Sequence, residues 1–334
     1  MSFPKRSAAK SAGSSCERGG SNGLSLENPA AIEQISRARQ SREIMNRYSW
    51  SLALGTALLI FGIGPRATTV SAGENHLGHL VIIGGGHRPE SITQRFIELA
   101  GGATNARLVI IPLASEDVAE TGRQAVQDFK AQGVGQVEAL PADPELAAQS
   151  VEKATGVYMT GGDQVRLVAG LAGTRVVKAM QELWRRGGVI GGTSAGAAVM
   201  SARMITGEQH GISKEEDKFR SIQRDEFETT NGFGFLTNAV VDQHFIARKR
   251  QNRLFSVVLE QPRLLGIGID ESTAVVVGTD LKLEVLGERS VMVIDARQAG
   301  PVRLGKNRRL AATDLCVHIL VEGDRFDLKR GRPL

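Results

Sequence analysis

Gly187-Gly188-Val189-Ile190-Gly191-Gly192-Thr193-Ser194-Ala195-Gly196-Ala197 is the stretch that decides how this chain folds. Val189-Ile190 is short buried-strand material, and the small residues from 195 to 202 open a packed helix. Between them stands a serine with glycines two positions before and two after it, Gly192 and Gly196. A strand that turns abruptly into a helix puts the corner residue in strained backbone geometry, and neighbouring side chains would block the corner. Ser194 is therefore read as a nucleophile on such an elbow. Its hydroxyl lies at a strand's carboxyl end and a helix start, where backbone N–H groups can hold a developing oxyanion. The same pattern also serves as a tight turn that packs a helix on a sheet, so other groups must decide its chemistry.

Upstream of the elbow, β-rich apolar runs at 79–83, 107–111, 137–140, 157–160 and 189–190 alternate with helical patterns at 91–100, 118–132, 144–153, 164–171 and 174–186. That alternation calls for an α/β fold, a three-layer α/β/α sandwich around a mainly parallel sheet. Function gathers at the carboxyl ends of such strands. Here those ends are Gly84-Gly85-Gly86, residues 112–115, Gly161-Gly162-Asp163-Gln164 and the elbow. Residues 202–234 are long and polar and read as a loop or hairpin beside the site. Beyond them we expect a strand at 239–242, a helix at 247–260 and strands at 264–269, 274–277, 281–286 and 291–294. The later strands lack intervening helices and are expected as antiparallel additions at the sheet edge.

The chain has 334 residues, 39 glycines and only 4% aromatics, which fits one large loop-rich domain of roughly 250 residues after a leader. Its net charge of +5 belongs to the first 72 residues, which hold nine of the 41 Lys/Arg and four of the 36 Asp/Glu. The rest is charge-balanced and shows no basic patch interleaved with aromatics, so nucleic acid is not an expected partner. From Trp50 to Ile63 the sequence is apolar, breaks at Gly64-Pro65 and reaches Val70-Ser71-Ala72. A run of roughly 12 to 14 residues is short for a membrane span and suits a secretory signal cleaved after Ala72. Starting at Met45 gives that signal an ordinary basic start. Residues 1–44 then read as untranslated or disordered, residues 73–334 as a single catalytic domain, and the product as secreted or periplasmic with no stable membrane span after cleavage. Cys16 falls in the leader, which leaves Cys316 as a lone thiol without a disulfide or a cysteine metal site. Its alternating apolar surroundings suggest a packed core thiol.

A nucleophilic serine needs a base, and the histidines are His76, His79, His87, His210, His244 and His318. His76 and His79 precede or begin the first strand, His318 lies in a terminal strand and His210 reads as a surface residue. His244, in Val240-Val241-Asp242-Gln243-His244-Phe245, ends a buried strand at a strand-to-helix junction. It is the strongest candidate. The base must be oriented by an acid. On position alone this is Asp270 or Glu271, at the end of Gly266-Ile267-Gly268-Ile269, or Asp242. The order serine, histidine, acid differs from that of α/β-hydrolases and disfavours a lipase or esterase. Gly84-Gly85-Gly86 lacks the spacing of a dinucleotide fingerprint and reads as a close-packed strand end. Neither a cofactor nor a metal is called for.

Four spaced motifs, Gly161-Gly162-Asp163-Gln164, the 191–197 elbow, Asp242-Gln243-His244-Phe245 with Arg248, Arg250, Arg253 and Leu254, and Gly268-Ile269-Asp270-Glu271-Ser272-Thr273-Ala274, resemble the cyanophycinases. These are serine exopeptidases related to dipeptidase E, with a class I glutamine amidotransferase-like fold. The resemblance covers about residues 78–295. It implies Ser194 as nucleophile, His244 as base and Glu271 as orienting acid. It implies an oxyanion hole from the backbone at Gly162, Asp163 and Ala195, a substrate cleft lined by Gln164, Asp242, Gln243, Arg248, Arg250 and Arg253, and a homodimer. The implied substrate is cyanophycin, a poly-aspartate backbone carrying arginine on each side-chain carboxylate, or a related aspartyl peptide. Arginines suit its carboxylates and acids its guanidinium groups. The chain departs from the family at His87-Arg88-Pro89, where acidic residues are common, and at the inserted Lys214-Glu215-Glu216-Asp217-Lys218. A dipeptidase or isoaspartyl peptidase, or a non-catalytic exported binding protein on the same scaffold, are the rival readings.

Overall fold

The computed structural model describes residues 77–210 and 218–334. The expected leader, its boundaries at Met45 and Ala72, His76 and most of the charged insertion lie outside the described residues.

From the amino end, β1 (His79–Ile83) leads through α1 (Glu90–Leu99) and α2 (Gly102–Asn105) to β2 (Arg107–Ile111), and α3 (Val118–Ala131) leads to β3 (Gln136–Ala139). Next come α4 (Pro144–Lys153), β4 (Gly156–Met159), α5 (Gln164–Leu171), α6 (Arg175–Arg185), β5 (Val189–Thr193) and α7 (Ala195–Ala198). Strands β1, β5, β4, β2 and β3 are parallel neighbours in that order. Leu80 to Ile83 are all buried, as a parallel strand covered on both faces requires. Their side chains alternate between two cores, with Leu80 and Ile82 meeting α4, α6 and α7, and Val81 and Ile83 meeting α1 and α3. Helix α6 buries Val176, Ala179, Met180 and Leu183, a stripe at three- and four-residue spacing. Helix α4 starts where Asp143 accepts hydrogen bonds from the N–H groups of Glu145 and Leu146, with Pro144 at the first helical position.

In the second half, the polar stretch after the elbow is a hairpin of β6 (Arg203–Gln209) and β7 (Phe227–Asn231), one of the two forms expected for it. After β8 (Ala239–Gln243), α8 (Gln251–Glu260) and β9 (Leu265–Ile269), the first sheet is extended by β10 (Thr273–Val277), antiparallel to β1, and by β11 (Lys282–Gly287), antiparallel to β10. Then β12 (Val291–Asp295) leaves that sheet. With β8, β9 and β15 (Cys316–Leu320) it forms a separate four-stranded sheet in the order β15-β12-β9-β8. Within it β8 and β9 run parallel, because α8 crosses over between them. Valines and isoleucines of this sheet, among them Val241, Ile267 and Val293, join the core on the elbow's side of the large sheet, and α8 covers the far face. Short pieces β13 (Arg303–Leu304), β14 (Leu310–Ala311), β16 (Arg325–Asp327) and β17 (Arg332–Pro333) finish the chain. Strands β16 and β17 complete a nine-stranded mixed sheet. Among the described residues, no helix is long and apolar enough to cross a membrane.

Candidate active site

At the end of β5 the backbone of Ser194 adopts φ 53° and ψ −111°, a conformation costly for a side chain with a β-carbon. Its N–H donates to the carbonyl of Ile83 at 3.0 Å, which ties the corner to β1. The flanking glycines touch each other. A β-carbon on Gly192 would lie 2.4 Å from the carbonyl oxygen of Gly196, so any larger residue would force the strand and the helix apart. The helix that follows ends at Ala198, shorter than the small-residue run suggests.

His244 follows β8, and its N–H donates to the Gly84 carbonyl at 2.7 Å. Nε2 of its imidazole is 2.9 Å from Ser194 Oγ and Nδ1 is 2.7 Å from Glu271 Oε1. The two carboxylates ending β9 thus divide their work. Asp270, buried, accepts from the backbone N–H groups of Ile246 at 3.1 Å and Ala247 at 2.9 Å, fixing the turn that carries His244. Glu271 meets the ring. Burial holds the His244 imidazole below its ordinary pKa. The hydrogen bond that Glu271 accepts from the ring opposes that shift, while Arg248 and Arg250 reinforce it. At neutral pH the ring is accordingly an uncharged base, the form that can take a proton from a serine hydroxyl.

Residues 80–284 match the family described as Peptidase family S51. The chain belongs to peptidase family S51. As an S51 member it is a serine-type peptidase, and it resembles proteins named cyanophycinase from several organisms. It is 36% identical to that of Geminocystis herdmanii over 268 residues, covering 76% of this chain and 95% of the relative. It is 38% identical to that of Trichormus variabilis, covering 68% and 77%, and 34% identical to that of Synechococcus elongatus, covering 80% and 84%. A crystal structure of a peptidase from an acI-B1 Actinobacterium shares the fold with a TM-score of 0.54 at 24% identity, over 76% of this chain and 98% of that one.

Several residues expected to line the substrate cleft are buried and hydrogen-bonded within the fold. Asp242 and Arg253 are both buried and face each other, with Arg253 Nε donating to Asp242 Oδ2 at 2.9 Å and Nη2 donating to Oδ1. The pair is internal because a carboxylate at the end of a buried strand is stable only beside a cation. Gln164 is buried and donates from Nε2 to the carbonyls of Ile205 at 3.1 Å and Thr206 at 2.5 Å, so it clips the β6–β7 hairpin to α5. Gln243 is buried too, and Arg250 donates to both its carbonyl and its side-chain oxygen. Burial, with Arg253 nearby, draws the Arg250 guanidinium down to about 10. Arg248 alone of the three arginines is exposed, on the turn next to His244. In the oxyanion set, the N–H of Asp163 donates to the Ala114 carbonyl at 2.8 Å, and its carboxylate caps α5. The Asp163 N–H is therefore engaged within the fold.

The glycine run after β1 is the close-packed strand end expected, and it forms the bed of the histidine and the acid. A β-carbon on Gly85 would lie 2.3 Å from His244 Cε1, and one on Gly86 would lie 2.8 Å from Glu271 Cβ. The run of three was visible in sequence, but its partner was not. Cys316 is exposed, not packed in the core. It lies on β15, an edge strand whose Val317 and Ile319 are also exposed, so alternation there does not report burial. A cavity of about 510 Å³ opens beside Arg107 and Gln136 at the amino ends of β2 and β3, away from Ser194.

Proposed function

We propose that this chain is a serine exopeptidase that degrades cyanophycin, multi-L-arginyl-poly-L-aspartate, to β-Asp-Arg dipeptides. The observation that carries the reading is the continuous hydrogen-bonded line from Ser194 through His244 to Glu271, in a chain whose curated relatives are named cyanophycinase. Ser194 Oγ attacks the scissile carbonyl while His244 Nε2 takes its proton. The N–H groups of Gly162 and Ala195 receive the oxyanion. Collapse of the tetrahedral adduct breaks the amide C–N bond, the protonated imidazole gives its proton to the leaving amine, and the acyl group remains as an ester on Ser194. Water, deprotonated by the same imidazole, releases the carboxylate. Glu271 holds the ring throughout and balances its transient charge. Exposed Arg248 meets a substrate carboxylate.

Incubating the full chain with purified cyanophycin, and following β-Asp-Arg by mass spectrometry beside a Ser194→Ala control, tests this. Serine-dependent release supports it. A folded protein that reacts with a serine-directed reagent but leaves the polymer intact moves the substrate to a short aspartyl peptide. Absence of that labelling as well points to a binding protein on the same scaffold.

Export belongs to the same proposal, with translation from Met45 and cleavage after Ala72. N-terminal sequencing of the exported protein checks it, and an intact residue 1 overturns it. The homodimer implied by the family is checked by sedimentation.

A further inference from the structure

Beside the nucleophile, on the face of the large sheet covered by α3, lies a cavity of about 360 Å³. Tyr158 and Thr160, at the end of β4, and Thr193, which immediately precedes Ser194, line it. Gly161 follows Thr160, and a β-carbon there would stand 3.8 Å from Ser194 Oγ. The cavity therefore shares a wall with the reaction centre.

Arg88, on the loop after β1, also lines it, and its head is fixed from three sides. Nε donates to Thr93 Oγ1 at 2.9 Å, Nη1 donates to the Tyr158 hydroxyl at 2.5 Å, and the guanidinium lies over the rings of Phe129 and Tyr158 at 5.7 and 5.2 Å. All of these partners are neutral. The nearest carboxylate, Asp128, is 3.9 Å from Nη2, beyond hydrogen-bond range, and accepts instead from Gln124. With its side chain only 23% exposed, Arg88 is a largely desolvated cation without a direct ionic hydrogen bond. Such a group favours an incoming anion. Thr160 supplies an independent observation, because its Oγ1 is buried and has no hydrogen-bond partner among the described residues. A hydroxyl in that state is an unused donor on the cavity wall.

We propose that this cavity is a carboxylate-binding subsite of the peptidase, with Arg88 as its cation and the Thr160 hydroxyl as its neutral donor, holding the free carboxylate of the substrate unit next to the scissile bond. The inference rests on the reading of the substrate as an aspartyl polymer or peptide. Glu120 and Asp128, 56% and 44% exposed, stand at the open end of the cavity. There they meet a cation carried further out on the same unit, as a β-Asp-Arg repeat provides.

The test uses the full chain as a Ser194→Ala variant labelled with ¹³Cζ-tyrosine. The sequence has two tyrosines, Tyr48 and Tyr158, and Tyr158→Phe assigns them. β-Asp-Arg and its C-terminal amide are titrated in. We expect the acid to shift the Tyr158 resonance and the amide to bind at least about tenfold more weakly, the loss of one charge-assisted hydrogen bond. Thr160→Val, which removes no internal hydrogen bond, weakens the acid several-fold with the fold intact. In the Ser194-intact enzyme it raises KM for cyanophycin and leaves kcat within about twofold. Arg88→Gln removes the preference for acid over amide. If that variant does not fold, Thr160→Val and the acid–amide comparison decide. Equal binding of acid and amide, binding of neither, or no effect of Thr160→Val overturns the subsite. An acid-selective Tyr158 shift in a protein that leaves cyanophycin intact keeps the subsite and rejects the polymer. Degradation of cyanophycin without that shift does the reverse.

Discussion

The imidazole of His244 rests on the backbone of Gly85, where a methyl group would come within 2.3 Å of Cε1 and 2.5 Å of Nε2. Gly85 also has φ +105°, which a β-carbon disfavours. Gly85→Ala is therefore expected to push the ring away from Ser194 and lower kcat/KM by about a hundredfold or more, since a displacement of about 1 Å is enough for such a loss. The folded state is expected to survive with a destabilisation of roughly 1–3 kcal/mol. Urea unfolding beside turnover separates the two, and wild-type kcat/KM in this variant removes Gly85 from the argument.

Removing a member of the hydrogen-bonded line acts differently. Ser194→Ala and His244→Ala are each expected to remove nearly all turnover with the fold intact. Glu271→Gln keeps the shape but no longer balances the imidazolium, and a loss of about 10⁴ in kcat is expected. Asp270→Ala, at the neighbouring position, removes the acceptor that holds the turn at Ile246 and Ala247 and is expected to act mainly on stability. A larger kcat loss for Asp270→Ala than for Glu271→Gln would exchange their roles.

The pH profile follows from the depressed pKa of His244. The ring works as a base when neutral, so kcat/KM stays on its plateau through the ordinary histidine range near 6.5 and falls only as the pH drops below it. Arg248 is one cause of the depression. Arg248→Gln removes a cation beside the ring, makes its protonation easier and is expected to move the acidic limb to higher pH. A limb that stays in place, or moves lower, contradicts this.

The Asp242–Arg253 pair makes a prediction of the opposite kind, about stability. Breaking it from one side leaves a buried charge alone, and Asp242→Asn is expected to cost about 3–5 kcal/mol. The urea midpoint of the variant measures this. If stability is unchanged while KM rises, the pair belongs to the cleft after all.

Much of the first half was legible because parallel strands buried on both faces announce themselves as unbroken apolar runs, as Leu80 to Ile83 do. The serine elbow was legible for the same local reason, a strand ending among glycines. The second half was less so. Strands β10 and β12 look alike in sequence, yet one pairs with β1 and the other with β9, a choice made by tertiary packing and not by period. Within the site, position alone could not choose between Asp270 and Glu271, since adjacent residues after a strand point to different surroundings. The same limit applies to Asp242, Gln243 and Arg253, which the family resemblance implied as cleft residues. Their burial depends on Arg253 lying across from Asp242, a partner eleven residues away.

The three groups of the hydrogen-bonded line stand on different sheets. Ser194 ends a strand of the nine-stranded sheet, whereas His244 and Glu271 follow β8 and β9 of the four-stranded one. The base lies 50 residues beyond the serine, and the acid 27 residues beyond the base. In the proposed mechanism the hydroxyl thus emerges during synthesis well before anything that would activate it, and turnover would report that the second sheet is in place.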